Sequence, residues 1–311
     1  MQATDLPKVN GIIAAAFSHQ KKMDGYTETF FPPSHFQFLK MYLDACPDGC
    51  FVVEKKGRIV AAAFSHAYGQ VGWIGPIVVM PRHQSAGIGK WITGQCINYL
   101  KKIGCKTIGL ETLPSNLITV GFYGKLDFEI NDVIIEMAST FLKIQDGFLD
   151  IRSVSFAKSD HIGRQKFLDI IKMLSANISK SFDYSPLVQQ FLDARYGDTF
   201  IFFNNQKPIG FAILQFEPIY VIEKRNILRV ITLLSENGSH DKLSSILNEI
   251  VKVAIANSFD TIRFRVPCRS NKFFHFLLNQ SYAVAFTNLR WTLKGFPEST
   301  NSNFIHLNSW V

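Results

Sequence analysis

Residues Val79 to Trp91 read Val-Met-Pro-Arg-His-Gln-Ser-Ala-Gly-Ile-Gly-Lys-Trp. An apolar strand, Ile77 to Met80, enters a turn bearing Gly87 and Gly89, and a helix pattern follows. Such a junction is built to hold an anion. The first amides of a helix have no internal partner, and the helix dipole favours negative charge there. Glycine lets the backbone approach a phosphate with no Cβ in the way. The common nucleotide loops do not fit. A Walker A loop needs Ser or Thr after its Gly-Lys, and Trp91 follows Lys90. The dinucleotide fingerprint needs a third glycine where Ile92 stands. The expected anion is therefore neither a magnesium-bound triphosphate nor a dinucleotide. A purely structural glycine turn is the competing reading.

A second chemical group lies downstream. Leu110-Glu111-Thr112-Leu113-Pro114-Ser115-Asn116 precedes Phe122-Tyr123-Gly124-Lys125-Leu126-Asp127-Phe128. A carboxylate and a phenol on neighbouring elements can take and give a proton. The plain alternatives are a solvated strand-end Glu111, a packed Tyr123 and an Asn116 that caps a helix.

Together these segments resemble the GNAT superfamily of N-acetyltransferases. The loop Gln84-Ser85-Ala86-Gly87-Ile88-Gly89 after Val79-Met80-Pro81 is similar to the family's motif A, and Asn116 precedes Tyr123 at the family's spacing. The resemblance spans about residues 1–140. It implies that acetyl-CoA is the cosubstrate, with its pyrophosphate on the amides of Gln84, Ser85, Ala86, Gly87, Ile88, Gly89 and Lys90. It implies that the backbone of Ile77, Val78 and Val79 pairs with the pantetheine arm, and that Asn116 and Tyr123 contact the cofactor. Tyr123 stands at the position of the general acid. Glu111 matches the base of acetyltransferases acting on protein N-terminal amines, taking a proton directly or through water. Ser85 and Asp127 replace common glycines. The family's opening strand is expected to be short or lost, because little chain precedes the first helix.

Other candidates are weaker. His66 reads as structural, His83 as exposed, and Cys105 as a buried thiol with no His partner nearby in sequence.

The elements positioning these groups follow from periodicity. Helices are expected over Leu6–Phe17, from Phe36 to Leu43, from Gly87 to Ile103, and from about Asn116 to Lys125. Strands are expected at 50–54, 58–66, 73–80, 107–110 and 133–137. Residues 18–31 fall between the first two helices, where an acceptor-side loop would sit. The same order recurs downstream. Lys106-Thr107-Ile108 aligns with Asp260-Thr261-Ile262 at an offset of 154, and Ile59-Val60-Ala61 with Pro208-Ile209-Gly210 at 149. The difference falls in a longer loop near 218–225. A repeat this long is a duplicated domain, since solenoid repeats run about 20–50 residues. The expected fold class is α/β with a mixed sheet: two GNAT-like domains, 1–145 and 146–311, each a mostly antiparallel central sheet flanked by helices, joined near 140–148.

The second copy lacks the chemistry of the first. At the 154 offset Glu111 falls on Arg265, Tyr123 on Leu277 and Gly87 on Asp241. Carboxylates in a phosphate cradle repel the ligand. This copy is expected to be degenerate, with a structural or partner-binding role. It also holds most of the charge. The chain of 311 residues carries +8; residues 1–150 hold 14 basic and 13 acidic side chains, against 19 and 12 in the remainder.

The resulting expectation is an acetyl-CoA-dependent N-acetyltransferase acting on a primary amine of a small molecule or a protein, with no metal. The alternative is a non-catalytic tandem module that binds acyl-CoA or a macromolecular partner. Nucleic-acid binding through the basic half is the least favoured class, and the oligomeric state is open. Five cysteines, an odd number without zinc spacing, point to reduced thiols and a cytoplasmic setting. No apolar run reaches the roughly 18 residues of a membrane span.

Overall fold

The computed structural model describes residues 1–144, 149–180, 182–224 and 226–309. The expected boundary at 145/146 and part of the 140–148 junction lie outside the described residues. After a 3-10 turn at Ala3–Asp5, the first half runs α1 (Leu6–Met23), α2 (Phe36–Ala45), β1 (Phe51–Lys55), β2 (Arg58–Tyr68), β3 (Val71–Val79), α3 (Ile88–Lys102), β4 (Thr107–Thr112), α4 (Leu117–Gly124) and β5 (Phe128–Ser139). The second half adds β6 (Ile151–Ser155), α5 (His161–Ser175), α6 (Ser185–Asp193), β7 (Gly197–Asn204), β8 (Lys207–Gln215), β9 (Ile227–Glu236), α7 (His240–Ala256), β10 (Thr261–Pro267), α8 (Asn271–Asn279), β11 (Ala283–Leu293) and β12 (Phe304–Asn308).

Amphipathic spacing places most of the helices. In α3, Ile92, Cys96 and Leu100 recur every four residues and are buried. Helix α1 runs to Met23, six residues past its expected end at Phe17, so the loop before α2 begins later than the sequence suggests. No strand precedes α1 among the described residues; β6 fills the corresponding place before α5 in the second half. Both copies turn in the same way after their last helix. Asp127 and Ser281, 154 residues apart, have φ of 61° and 63°. Ser85 also adopts a left-handed backbone, with φ 60°. Two positions where glycine is common therefore still demand a glycine-like conformation.

Strand order joins the two expected sheets into one. One sheet runs β1-β2-β3-β4-β11-β5-β10-β9-β8-β7-β6, with β12 paired to β9. Strand β11 of the second half lies between β4 and β5, and β5 pairs in turn with β10. The halves are interleaved: β11 enters the first half, and β5 pairs only with strands of the second. Ile134 lies directly opposite Asn288, its own equivalent at the 154 offset, so a pseudo-twofold axis passes between β5 and β11.

Three buried clusters hold this sheet. One joins α1 and α2 to α5 and α6 across both halves, with Leu39, Phe64, Phe156 and Tyr196 at its centre. A second lies under α7 and α8. The third lies under α3 and α4, and β11 contributes Trp291 and Leu293 to it. The first half's core is thus completed by the second half's strand.

Candidate active site

Strands β3 and β4 run parallel but pair only from Val71–Trp73 to Thr107–Gly109. Beyond Trp73 they diverge, while β3 stays paired with β2 as far as Val79. The opening is a V with Ile74 to Ile77 of β3 along one side; of the predicted strand residues Ile77 lines it and Val78 and Val79 do not. A cavity of about 460 Å³ occupies it, lined by Ile74, Ile77, Glu111, Asn116 and Tyr123, among others. The proposed acid, the proposed base and two proposed cofactor contacts therefore meet in one cleft. Helix α1 and the segment after it roof the cleft with Phe17, Asp24, Tyr26 and Phe31. The Tyr26 hydroxyl lies 3.1 Å from the Ser115 hydroxyl, spanning the opening.

The loop after β3 is open to an anion. Gly87 caps α3 in a left-handed conformation (φ 77°), with no side-chain cap and no acidic residue in the first turn. No described residue accepts from the amides of Ser85, Ala86, Gly87, Ile88, Gly89 or Lys90. The Gln84 amide donates to Pro81 and is not free, and the Gln84 side chain donates to the Val79 carbonyl at 3.1 Å. Gln84, Ser85, Ala86 and Lys90 are exposed. A run of free amides at a helix start fits a pyrophosphate.

Asn116 is buried and caps α4, its side-chain oxygen accepting from the Thr119 amide at 3.0 Å. It also lines the cleft. Tyr123 packs among Phe122, Phe128 and Trp291. Burial pushes its phenol up from the usual tyrosine range, with Cys96 adding to the effect, so the hydroxyl keeps its proton. No described residue bonds to that hydroxyl. Tyr123 also lines the cleft.

Glu111 is not a solvated strand end. Its side chain is 6% exposed and clamped by two arginines of the second half. Arg290 donates to Oε1 through Nε at 3.0 Å and Nη2 at 2.7 Å, and Arg265 donates to Oε2. A carboxylate offers about four lone-pair sites. Three are taken, which leaves one on Oε2 for a proton donor in the cleft. Arg290 is fully buried and also bonds Glu298 and Asn308. Sequence reasoning missed Arg265 and Arg290 as Glu111's partners, and missed Asp24, Tyr220, Phe286 and Asn288 as cleft residues. It had placed Arg265 at Glu111's equivalent position, but not against it.

The corresponding gap in the second half is filled. Strands β9 and β10 pair from Ile227–Val230 to Thr261–Phe264. Past that point β12 pairs with β9, lying where the first half keeps its V open. Unlike the start of α3, the start of α7 carries a side-chain cap. Ser239 caps it by accepting from the Lys242 amide, Asp241 sits in its first turn, and Lys242 pairs with Glu236 at 3.1 Å.

The minor candidates resolve simply. His66 is buried within β2, its Nε2 2.5 Å from the Gly75 carbonyl. His83 was expected to be exposed; it is half-buried, and its Nε2 accepts from Arg82 at 3.3 Å. Cys105 is a buried free thiol, pushed up to about 11 by burial. Among the described residues no cluster of three or more His, Cys, Asp or Glu is placed to hold a metal, and no helix is long and apolar enough to cross a membrane.

Two buried histidines make stability depend on pH. Burial lowers His66 to about 4 and His306 to about 3, against an ordinary value of 6.5. The unfolded chain takes up these protons below about pH 6.5, while the folded chain refuses them until much lower pH. Stability present above that value is lost as pH falls toward 4. The urea midpoint is expected to drop between about pH 7 and 5; an unchanged midpoint would contradict the neutral, buried assignment.

Residues 18–128 match the model of the acetyltransferase (GNAT) family. No curated protein matches the chain. A Pyrococcus horikoshii protein classed provisionally as an acetyltransferase shares the fold, with a TM-score of 0.68 at 14% identity, over 100% of this chain and 93% of that one. A GCN5-related N-acetyltransferase of Sphaerobacter thermophilus gives 0.64 at 11%, over 97% and 96%. A tandem GNAT protein of the clavulanic acid biosynthesis pathway gives 0.61 at 11%, over 96% and 98%. Identities this low speak for the fold alone. Residues 18–128 thus match the GNAT acetyltransferase family, in a chain whose whole length shares its fold with a tandem GNAT protein.

Proposed function

We propose that the protein is an acetyl-CoA-dependent N-acetyltransferase, with its active site in the first half and its acceptor a primary amine. The observation that carries this reading is the cleft between β3 and β4, where Glu111, Asn116, Tyr123 and Ile77 share one cavity. Bound acetyl-CoA supplies the thioester. The free amides of residues 85–90 hold its phosphates, and the unpaired edge of Ile77–Val79 receives the pantetheine arm. Direct attack in a ternary complex needs an amine without its extra proton. The open site on Glu111 Oε2 takes that proton from the amine, or from a water between them. Tyr123 Oη holds the proton for the leaving sulfur. The second half does not take a second cofactor in this reading, because β12 fills its gap and α7 caps itself.

Release of free thiol from acetyl-CoA, measured with a panel of primary amines, tests the proposal. Amine-dependent release is the expected result. Tight acetyl-CoA binding without release for any amine would favour a non-catalytic module.

A further inference from the structure

We propose that the second half carries a subsite for an anionic group of the acceptor, so that the substrate is a primary amine bearing a carboxylate or phosphate. The proposal rests on the acetyl-transfer reading above for the amine end, and on a separate cavity for the anionic end. That cavity holds about 420 Å³ and is lined by Arg229, Arg263, Arg265 and Glu136, with Tyr220 and Phe286 among its other walls. Three arginines and one glutamate contribute to its lining, and each arginine has a carboxylate partner.

The two cavities are neighbours. Tyr220, Phe286 and Asn288 line both, and Arg265 lines the second while bonding Glu111 of the first. The pseudo-twofold axis explains the pairing. Glu111 and Arg265 are equivalent positions of the two copies, 154 residues apart. One side of the axis presents a carboxylate and the other a guanidinium. A molecule with an amine at one end and an anion at the other matches that polarity.

The arginines are only partly engaged. Arg229 pairs with Glu223, Arg263 with Glu136 at 2.8 Å, and Arg265 with Glu111. A guanidinium has five N–H donors, and these carboxylates take few of them. The Nε atoms of Arg263 and Arg265 are buried without an acceptor. The Arg263 side chain remains 35% exposed, which makes it the accessible anchor. Guanidiniums bind carboxylates and phosphates through paired, charge-assisted hydrogen bonds. The basic surplus of the second half thereby gains a use that the cofactor phosphates do not require.

The test uses the full chain saturated with CoA, so that no turnover intervenes. Calorimetry compares alkylamines of graded length with their ω-carboxylate and ω-phosphate counterparts. At a matching length, one or both anionic series is expected to bind about ten-fold tighter than the neutral amine. Which series gains identifies the group as carboxylate or phosphate. Arg263→Gln should abolish the preference, and Arg229→Gln should independently weaken it, with retained CoA affinity showing that each variant is folded. Equal affinities across the series, no binding by any probe, or a preference that survives both substitutions overturns the subsite. Thiol release with the same amines is read separately. An anion preference without release supports the subsite and overturns acetyl transfer.

Discussion

Tyr123→Phe is expected to lower kcat by about 100-fold while leaving acetyl-CoA affinity unchanged. The substitution removes one oxygen and keeps the ring that packs on Phe122, Phe128 and Trp291. That hydroxyl bonds to no described residue, so its loss orphans nothing in the folded protein. Stability should hold, and the effect should fall on the step in which the thiolate departs. Burial keeps the phenol protonated across the physiological range, which suits an acid and excludes a base. The measurement is steady-state turnover beside direct cofactor binding. Unchanged kcat would remove Tyr123 from the chemistry. An equal loss of cofactor affinity would make it a packing residue.

Arg290→Met is expected to destabilise the fold by about 3–5 kcal/mol, because it removes one partner of a buried ion network. Arg290 has no exposed surface and bonds Glu111, Glu298 and Asn308. Burial works against its charge, but Glu298 and Glu111 outweigh that and raise its pKa further. Glu298 is likewise opposed by burial, yet Arg290 and Arg269 hold it down at about 2. Without Arg290 two carboxylates remain in the interior, and among the described residues Glu298 retains Arg269 as its ion-pair partner. The loss would be a large part of a typical stability of about 5–15 kcal/mol. Urea unfolding measures it. Adding Glu298→Gln should restore part of the stability, since the neutral amide costs less to bury. A loss below about 1 kcal/mol would mean that the network is hydrated and weak.

Much of the first half was legible because its signals are local. The glycine loop, the strand before it and the helix after it are written within 26 residues, 77–102. The spacing of Asn116 and Tyr123 is a helix property, and both line the cleft. The duplication was visible as a register of matched elements. What was not legible is what depends on partners far along the chain. Strand β11 has four exposed residues at its start, so its alternation is weak, and its place between β4 and β5 is a tertiary choice. Strand β12 is five residues long and reads as a tail until β9 receives it. The clamp on Glu111 was half visible. At a twofold axis a residue meets its own equivalent, where two glutamates would repel. Replacement of Glu111 by Arg265 in the second copy is the change that lets the two face each other. Charge reversal between repeat-equivalent positions is thus a sequence signal for a contact across such an axis.

The interleaving of strands sets a timetable for synthesis. Strand β4 is complete at Thr112, but its neighbour β11 begins only at Ala283. A ribosome adds about 5–20 residues per second, so the nascent first half waits on the order of ten seconds for that strand. During this interval the edges of β4 and β5 are bare and able to capture strands from other chains. Two residues lining the cleft, Phe286 and Asn288, arrive in the same late segment. The cleft is therefore complete only after β11 has emerged, and a product truncated before Ala283 would be released with its edges unsealed.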